Sequence, residues 1–208
     1  IAALNSYGTT EIEEIEKSRD HSENLLCSNV NTIQIKKGKK KIIKVFGKKH
    51  LNSINIDIPG DPSSAAFFTA LTLLNKKSSL KIKKVGLNPT RIGYYNLLKK
   101  YGAKINFSNI KKNNNEVNGD IIIKSCKIKP IKASKEYYVK ATDEYPILFV
   151  IAGLTQGLSI FKGIGDLANK ESNRIKEMQK ILKQIGIRTI ATKNEIKIYG
   201  KNNIRIKK

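Results

Sequence analysis

"ILFVIAGLTQGLSIFKGIGDLANKESNRIKEMQKILKQIGI", residues 147–187, contains one complete structural plan. The pattern predicts an apolar helix, a turn, a strand, a short loop and a second helix that begins near an arginine. Residues 67–105 repeat this plan, and residues 6–26 contain a shorter version. The arginines near the helix starts are Arg19, Arg91 and Arg174. A unit of about 80 residues cannot bury its apolar face alone, so we expect the units to pack together.

Strands are predicted where apolar and polar residues alternate. These segments are TIQIKK (32–37), KIIKVFG (41–47), SINIDIPG (53–60), GDIIIKS (119–125) and EIKIYG (195–200). A glycine-centred turn joins the first two into an exposed hairpin. The polar stretch 108–119 is predicted to be a surface loop, and the apolar run 145–154 a buried helix or strand. The sequence therefore predicts a mixed α/β (α+β) fold of repeated helices and strands.

Helix ends are marked by specific residues. Asp61 before Pro62 is typical of a helix N-terminus, and Gly102 and Gly186 are placed as C-terminal caps. Because the Arg19 unit ends before this helix start, we predict a domain boundary near residue 58. Residues 1–58 would end one domain, and residues 59–208 would form most of the next.

The charge is strongly positive. The 208 residues include 40 Lys or Arg and 17 Asp or Glu, which gives a net charge of +23. The lysines are spread along the chain and indicate background composition, so nucleic acid is the weaker hypothesis and small anionic substrates are favoured. No apolar run reaches the roughly 20 residues of a membrane span. Two isolated cysteines, Cys27 and Cys126, favour reduced thiols and a cytoplasmic location.

Charged residues cluster where the helix of the opening stretch begins. "LANKESNRIKEM", residues 167–178, places Lys170, Glu171 and Arg174 at a strand-to-helix junction. The N-terminus of a helix carries free N–H groups and the positive end of the dipole, which suit an anion. A solvated helix face is the alternative interpretation.

Five motifs resemble one family in the same order. They are SRDHSENLL (18–26), PGDPSSAAFF (59–68), NPTRIGYYNLLKKYGAKI (88–105), DEYPIL (143–148) and KESNRI (170–175). The family is that of 3-phosphoshikimate 1-carboxyvinyltransferase, also called EPSP synthase. The resemblance covers essentially the whole chain. It implies an inside-out barrel of two domains, each built from βαβαββ units with the helices inside.

The resemblance also implies an enzyme, a transferase of the shikimate pathway of aromatic amino acid biosynthesis. It moves the enolpyruvyl group of phosphoenolpyruvate to the 5-hydroxyl of shikimate 3-phosphate and releases phosphate. No metal or organic cofactor is implied. The expected partners are these two small molecules, with no nucleic acid and no membrane, and the full-length protein is expected to be a monomer.

Catalytic roles follow from the matched motifs. Asp143 matches the general base that meets the 5-hydroxyl, although it could instead cap the following helix. Glu171 matches the acid near the methylene carbon of phosphoenolpyruvate, where a proton is delivered and later removed. Its alternative role is to compensate the helix dipole. Arg174 would bind phosphoenolpyruvate, since a guanidinium binds oxyanions in a bidentate way.

Binding roles are implied for the remaining matched residues. Arg19 matches a ligand of shikimate 3-phosphate, with Ser18 beside it, and Lys170 contacts the same phosphate side. Asp166 keeps an acid that the family uses as a ligand. The sequence departs from the family pattern at Asn173, which replaces an aspartate. His21 is interpreted as structural, and Asp61, Ser63 and Ser64 as caps of the helix that follows the predicted domain boundary.

Some family motifs are missing from the sequence. The family's phosphate-binding Lys-Ser near its start and its Ser-Ala-Gln segment, both expected before the first matched motif, are missing, and so are the Asp-His-Arg segment and final Lys expected after the last. We therefore interpret the chain as the middle of the enzyme and expect it to be inactive alone. The alternatives are the UDP-N-acetylglucosamine 1-carboxyvinyltransferase of the same fold and a basic nucleic-acid-binding module.

Overall fold

The computed structural model describes residues 1–16, 18–29, 31–38 and 40–202. Its α-helices are α1 (Ala2–Asn5), α2 (His21–Leu26), α3 (Pro62–Leu74), α4 (Gly93–Lys100), α5 (Lys135–Ala141), α6 (Tyr145–Gly153) and α7 (Arg174–Gln184). Its strands are β1 (Thr9–Glu14), β2 (Ile33–Lys37), β3 (Lys41–Phe46), β4 (Ser79–Gly86), β5 (Lys104–Asn113), β6 (Glu116–Lys124), β7 (Lys132–Ala133), β8 (Gly157–Lys162), β9 (Arg188–Ala191) and β10 (Glu195–Gly200). Short 3-10 helices occupy Thr142–Glu144 and Gly165–Asn169.

The strands form three sheets with one common order. The orders are β1-β3-β2, β4-β6-β5 and β7-β8-β10-β9. In each sheet the last strand of the unit lies between two earlier strands and pairs antiparallel with both. This shared order confirms the repeats predicted from the sequence.

The third unit also has an entering strand. β7 pairs parallel with β8, and the connection between them contains α5 and α6. In the second unit the corresponding contact is a single parallel bridge between Gly60 and Val85, with α3 in the connection. The third unit therefore reads βαβαββ, and the second keeps that order with its first strand reduced to one bridge.

The core joins the second and third units. α3 and α6 pack against each other, and one cluster of buried apolar side chains extends from Ala65 to Ile198. α6 is apolar almost all round, as a helix enclosed by other elements must be. The predicted packing of the units is thus confirmed for these two. Ile43 and Val45 of the first unit are buried outside this cluster.

Helix ends follow the predicted signals. The Asp61 carboxylate accepts a hydrogen bond from the Ser64 N–H at 2.8 Å, with Pro62 in the first turn of α3. Gly102 and Gly186 have φ of 96° and 77°, in the left-handed region that favours glycine after a helix. The predicted N-cap and both C-terminal glycines are confirmed.

Two local predictions were wrong. Residues 51–59 contain no strand, because this alternating segment meets the edge of β4 only at the Gly60–Val85 bridge. Residues 108–119 are not a loop but the hairpin of β5 and β6. Asn114 and Asn115 have φ of 45° and 63°, which gives the two-residue turn whose twist suits a hairpin.

The connection between the first two units lies in residues 51–59. The predicted domain boundary near residue 58 falls within it and stays a prediction. Among the described residues, no helix combines the length and the apolar character needed to cross a membrane.

Candidate active site

Asp143 lies in the 3-10 turn between α5 and α6. Its Oδ2 accepts a hydrogen bond from Arg19 Nη2 at 2.5 Å, and its Oδ1 lies 3.9 Å from Arg174 Nη1. The turn is followed directly by α6, with a proline in the first helical turn. The Asp143 side chain does not cap this helix, so the alternative interpretation as an N-cap has no support in the contacts.

Three helix starts bring this cluster together. Arg19 lies in the segment just before α2, and Arg174 is the first residue of α7. The side chain of Asn173 caps α7 by accepting from the Lys176 N–H at 3.1 Å. Asparagine therefore performs the capping role that the family's aspartate could also fill. Because each charged residue stands at the same end of its unit, the repeat itself positions them around Asp143.

Lys170 and Glu171 lie just before Arg174 in the chain. Glu171 Oε2 accepts a hydrogen bond from Arg174 Nη2 at 2.9 Å, and the Glu171 side chain is 84% exposed. Lys170 Nζ lies 3.0 Å from Asp166 Oδ2, which also accepts from the Tyr138 hydroxyl at 2.8 Å. Glu171 is thus accessible to a ligand, while Asp166 fixes Lys170 at the edge of the cluster.

Ser18 is held by a neighbouring carboxylate. Its backbone N–H and its hydroxyl both donate to Glu14 Oε1, at 2.8 and 2.5 Å. Glu14 also pairs with Lys41 at 3.0 Å, and Lys41 pairs with Glu23 of α2 at 2.7 Å. These contacts fix the segment that carries Arg19.

The charges of the cluster favour ionised carboxylates. The hydrogen bond from Arg19 lowers the pKa of Asp143; burial opposes this effect, and Arg91 and Arg174 add to it. The hydrogen bond with its own backbone N–H lowers the pKa of Glu171, helped by Arg174. The hydrogen bond from Lys170, and then that from Tyr138, lowers the pKa of Asp166.

A second, partly buried group of charged residues lies next to this cluster and was not predicted from the sequence. Arg91 Nη2 donates to Ser63 Oγ at 2.7 Å and lies 3.0 Å from Asp61 Oδ1. Ser63 donates in turn to Glu144, which is 2% exposed. The available signal was the equivalence of Arg91 to Arg19 and Arg174 in the repeat. The capping interpretation of Ser63 missed its bond to Glu144.

His21 of α2 lies in a separate polar cluster with the start of β6. Its Nδ1 is 2.9 Å from Glu116 Oε1, which also accepts from Asn24 at 2.9 Å. Asn88 donates to Asp20 at 2.8 Å in the same cluster. These contacts fit the interpretation of His21 as a structural residue. Within the described ranges, no group of three or more His, Cys, Asp or Glu side chains could hold a metal ion.

The sequence and the fold were compared with those of known proteins. The profile of the family EPSP synthase (3-phosphoshikimate 1-carboxyvinyltransferase) matches residues 1–207. The 3-phosphoshikimate 1-carboxyvinyltransferases of Aquifex aeolicus and Persephonella marina are similar, with 35% identity over 207 residues and 37% over 206. Each alignment covers 99% of this chain and 48% of the relative, so the chain spans about half the length of the curated relatives it matches.

Solved structures show the same similarity. EPSP synthase from Acinetobacter baumannii superposes with a TM-score of 0.86 at 35% identity, covering 98% of this chain and 45% of that chain. The enolpyruvyl transferase NikO from Streptomyces tendae superposes with a TM-score of 0.64 at 13% identity, covering 95% and 44%, and so supports the fold alone. The βαβαββ units, the cluster around Asp143 and these matches agree: the chain belongs to the EPSP synthase (3-phosphoshikimate 1-carboxyvinyltransferase) family.

Proposed function

We propose that this chain supplies part of the cleft in which the enolpyruvyl group passes from phosphoenolpyruvate to the 5-hydroxyl of shikimate 3-phosphate. The observation that carries the proposal is the convergence of Arg19 and Arg174 on Asp143. Both substrates carry a phosphate and a carboxylate, and a guanidinium binds such groups through paired N–H donors. The Asp143 carboxylate between these two arginines can accept the proton of the reacting hydroxyl.

The proposed steps assign one task to each group. Asp143 accepts the proton of the 5-hydroxyl as the hydroxyl oxygen bonds to C2 of phosphoenolpyruvate. Glu171 delivers a proton to the methylene carbon, so that the adduct carries a methyl group. Glu171 then takes back a methyl proton, the bond between C2 and the phosphate oxygen breaks, and the loss of phosphate restores the carbon–carbon double bond. Arg174 holds phosphoenolpyruvate, while Arg19, Ser18 and Lys170 contact shikimate 3-phosphate, with Asp166 fixing Lys170.

Substrate binding would also change the basicity of Asp143. Without an anion, Arg19 and Arg174 pair with the carboxylates of Asp143 and Glu171. A phosphate that takes over these N–H donors removes the interaction that lowers the pKa of Asp143. The Asp143 carboxylate then becomes a stronger base when its reaction partner arrives, as general base catalysis requires.

The charges of the cluster balance one another, which bears on how well the chain can bind its anionic substrates. Arg19, Arg174 and Lys170 face Asp143, Glu171 and Asp166, so this cluster has no net charge. The substrates bring two phosphates of about −2 each and two carboxylates. We therefore expect the 208-residue chain to bind shikimate 3-phosphate, but to release no phosphate from the substrate pair above background.

Isothermal titration calorimetry of the chain with shikimate 3-phosphate tests the proposal. Arg19→Ala should weaken binding by roughly tenfold or more, because a hydrogen bond to a charged group is worth about 1.5–3 kcal/mol. Arg188→Ala is the matched control, since Arg188 lies on β9 and stacks on Tyr199. Equal losses in both variants, or binding of UDP-N-acetylglucosamine in place of shikimate 3-phosphate, would contradict it.

A cytoplasmic location belongs to the same proposal. Cys27 and Cys126 are both free thiols, as expected for a reducing compartment. Expression of a fluorescent fusion in the native host would show the location directly.

A further inference from the structure

Arg91 is the counterpart of Arg19 and Arg174 in the second unit, but its side chain points to a different place. Arg19 and Arg174 reach Asp143 directly, whereas Arg91 reaches Asp61 and Ser63 at the start of α3. We propose that Arg91 is a positioning residue that fixes the turn of Asp143 through Ser63 and Glu144. This inference rests on the proposed function, because it assigns a role in placing the general base.

The contacts form one continuous chain. The Arg91 side chain is 15% exposed and donates to Ser63 Oγ at 2.7 Å. The Ser63 hydroxyl accepts this bond and donates its own hydrogen to Glu144 Oε1. A hydroxyl can do both at once, and each bond polarises the next. These hydrogen bonds therefore link the start of α3, the segment before α4 and the 3-10 turn of Asp143.

Glu144 connects this series of hydrogen bonds to the catalytic turn. Glu144 follows Asp143 in the sequence, and its side chain is buried. Burial raises the pKa of its carboxyl group, while the hydrogen bond from Ser63 and the charge of Arg91 lower it. A buried carboxylate without such partners would be protonated or drawn toward water. Either change would move the peptide that joins Glu144 to Asp143. Arg91 also acts on Asp143 through its charge.

Packing alone does not account for Arg91. The N-terminus of α3 is capped by the bond from the Ser64 N–H to Asp61 Oδ2, whereas Arg91 pairs with the other carboxylate oxygen, Oδ1. α4 is fastened to α3 by the hydroxyls of Tyr94 and Tyr95, which donate to the carbonyl oxygens of Ala66 at 3.0 Å and Pro62 at 2.6 Å. The helix pair keeps these bonds without the guanidinium, so removing Arg91 should act on the turn.

The test is an NMR titration of ¹³C-labelled carboxyl groups in the 208-residue chain, with calorimetry of shikimate 3-phosphate on the same samples. In Arg91→Ala the Asp143 resonance should titrate at higher pH and the affinity for shikimate 3-phosphate should fall about tenfold, as expected for a misplaced group. Arg91→Lys keeps the charge and should restore the Asp143 titration. Arg188→Ala should leave it unchanged, and the Asp166 resonance serves as an internal reference.

Ser63→Ala provides a second variant that keeps the Arg91–Asp61 ion pair. It should raise the pKa of Glu144 and shift that of Asp143 while the charge of Arg91 stays in place, and it decides the question if Arg91→Ala does not fold. An unchanged Asp143 titration in a folded Arg91→Ala or Ser63→Ala chain overturns the inference, as does an equal shift in Arg188→Ala. Failure of the unsubstituted chain to bind shikimate 3-phosphate would count against the proposed function, while the Asp143 titration would still decide the role of Arg91.

Discussion

The Asp143 carboxylate and the two guanidinium groups around it stabilise one another. Arg19 and Asp143 are each about 40% exposed, so water screens their ion pair. Exposed pairs of this kind contribute about 0–1 kcal/mol. Because Arg174 is also close, the Asp143 carboxylate separates two positive charges. Without this carboxylate the guanidinium groups of Arg19 and Arg174 would repel each other. The same residue thus serves the stability of the cluster and, in our proposal, its chemistry.

The stability contributed by Asp143 should depend on pH. Because its folded pKa is lowered, the contribution is complete above the unfolded value of about 3.9 and is lost as the pH falls through the folded pKa. We expect Asp143→Asn to reduce the free energy of unfolding at pH 7 by about 0.2–1 kcal/mol. The difference should disappear at acid pH. Urea denaturation from pH 7 to pH 2 measures it.

The exposed Asp57 provides a control for this substitution. Asp57→Asn should change the free energy of unfolding at pH 7 by less than about 0.5 kcal/mol. A difference for Asp143→Asn that persists unchanged through the acid range would show that the charge of Asp143 is not its source.

At the scale of elements, β6 pairs with irregular segments of β5 and β4 on its two sides, and side chains stabilise these irregularities. The register shifts between Ser108 and Lys111 on one side of β6, and between Ile82 and Val85 on the other. Asp120 stabilises both irregular segments: it accepts from Asn109 at 2.8 Å and from the Lys84 N–H at 3.1 Å. These bonds, with that from Lys81, lower the pKa of Asp120 to about 2.

Gly119 allows the strands to approach at these bulges. A Cβ at this position would lie 2.8 Å from the Ser108 carbonyl oxygen and 2.8 Å from Leu87 Cδ1. We expect Gly119→Ala to lower the free energy of unfolding by about 1–3 kcal/mol, because a backbone atom cannot move aside cheaply. Urea denaturation would measure the loss.

Gly38→Ala is the matched control for Gly119→Ala. The nearest atom to a Cβ at Gly38 is the Lys40 carbonyl oxygen at 3.8 Å, an ordinary contact distance. We expect a change within about 0.5 kcal/mol there. Equal effects of the two substitutions would mean that crowding at the bulges is not the cause.

The hairpin also shows where prediction from sequence stops. The helices, the C-terminal glycines and the repeated order of strands could be predicted, because each rests on local periodicity or on one backbone conformation. Residues 108–119 look like a loop because both faces of the hairpin end are polar. Residues 53–60 alternate like a strand, but none of the strands in the described part of the chain pairs along their length. Strand formation depends on a neighbour that local sequence does not contain.

Some residues of the candidate site could likewise be predicted from the sequence, while other contacts of the site could not. Motif order identified Asp143, Arg19 and Arg174, and the repeat explains why they meet. The direction in which Arg91 points depends on the position of α3, which belongs to a different part of the unit. The bond from Ser63 to Glu144 joins residues 81 positions apart. Such contacts follow from packing and could not be predicted from spacing.

At the scale of the molecule, residues 1–58 contact the remainder through polar side chains. The contacts include Arg19 with Asp143, His21 with Glu116, Asn88 with Asp20, and Lys135 with Glu16 at 2.9 Å. The principal apolar cluster lies entirely within residues 65–198. The two parts are therefore held together by charge and hydrogen bonds more than by burial.

Salt should weaken the contact between these two parts. At 1 M ionic strength the Debye length falls to about 3 Å, so ion pairs across the contact are screened. We expect backbone amides of α2 to exchange faster with deuterium in 1 M NaCl than in 0.05 M NaCl, while amides of β10 keep their protection. Mass spectrometry of exchanged peptides measures this. Equal acceleration in both elements would contradict a polar contact.

The common order of the three sheets also has a consequence during synthesis on the ribosome. In the sheets of the first two units the middle strand is translated last, so β1 and β4 have no completed antiparallel partner when they emerge. β1 ends at Glu14 and its partner β3 begins at Lys41. At about 5–20 residues per second, the first strand waits roughly one to five seconds for the strand that pairs with it. Nascent units of this kind expose an open edge for that interval, which is the time a ribosome-associated chaperone has to shield it.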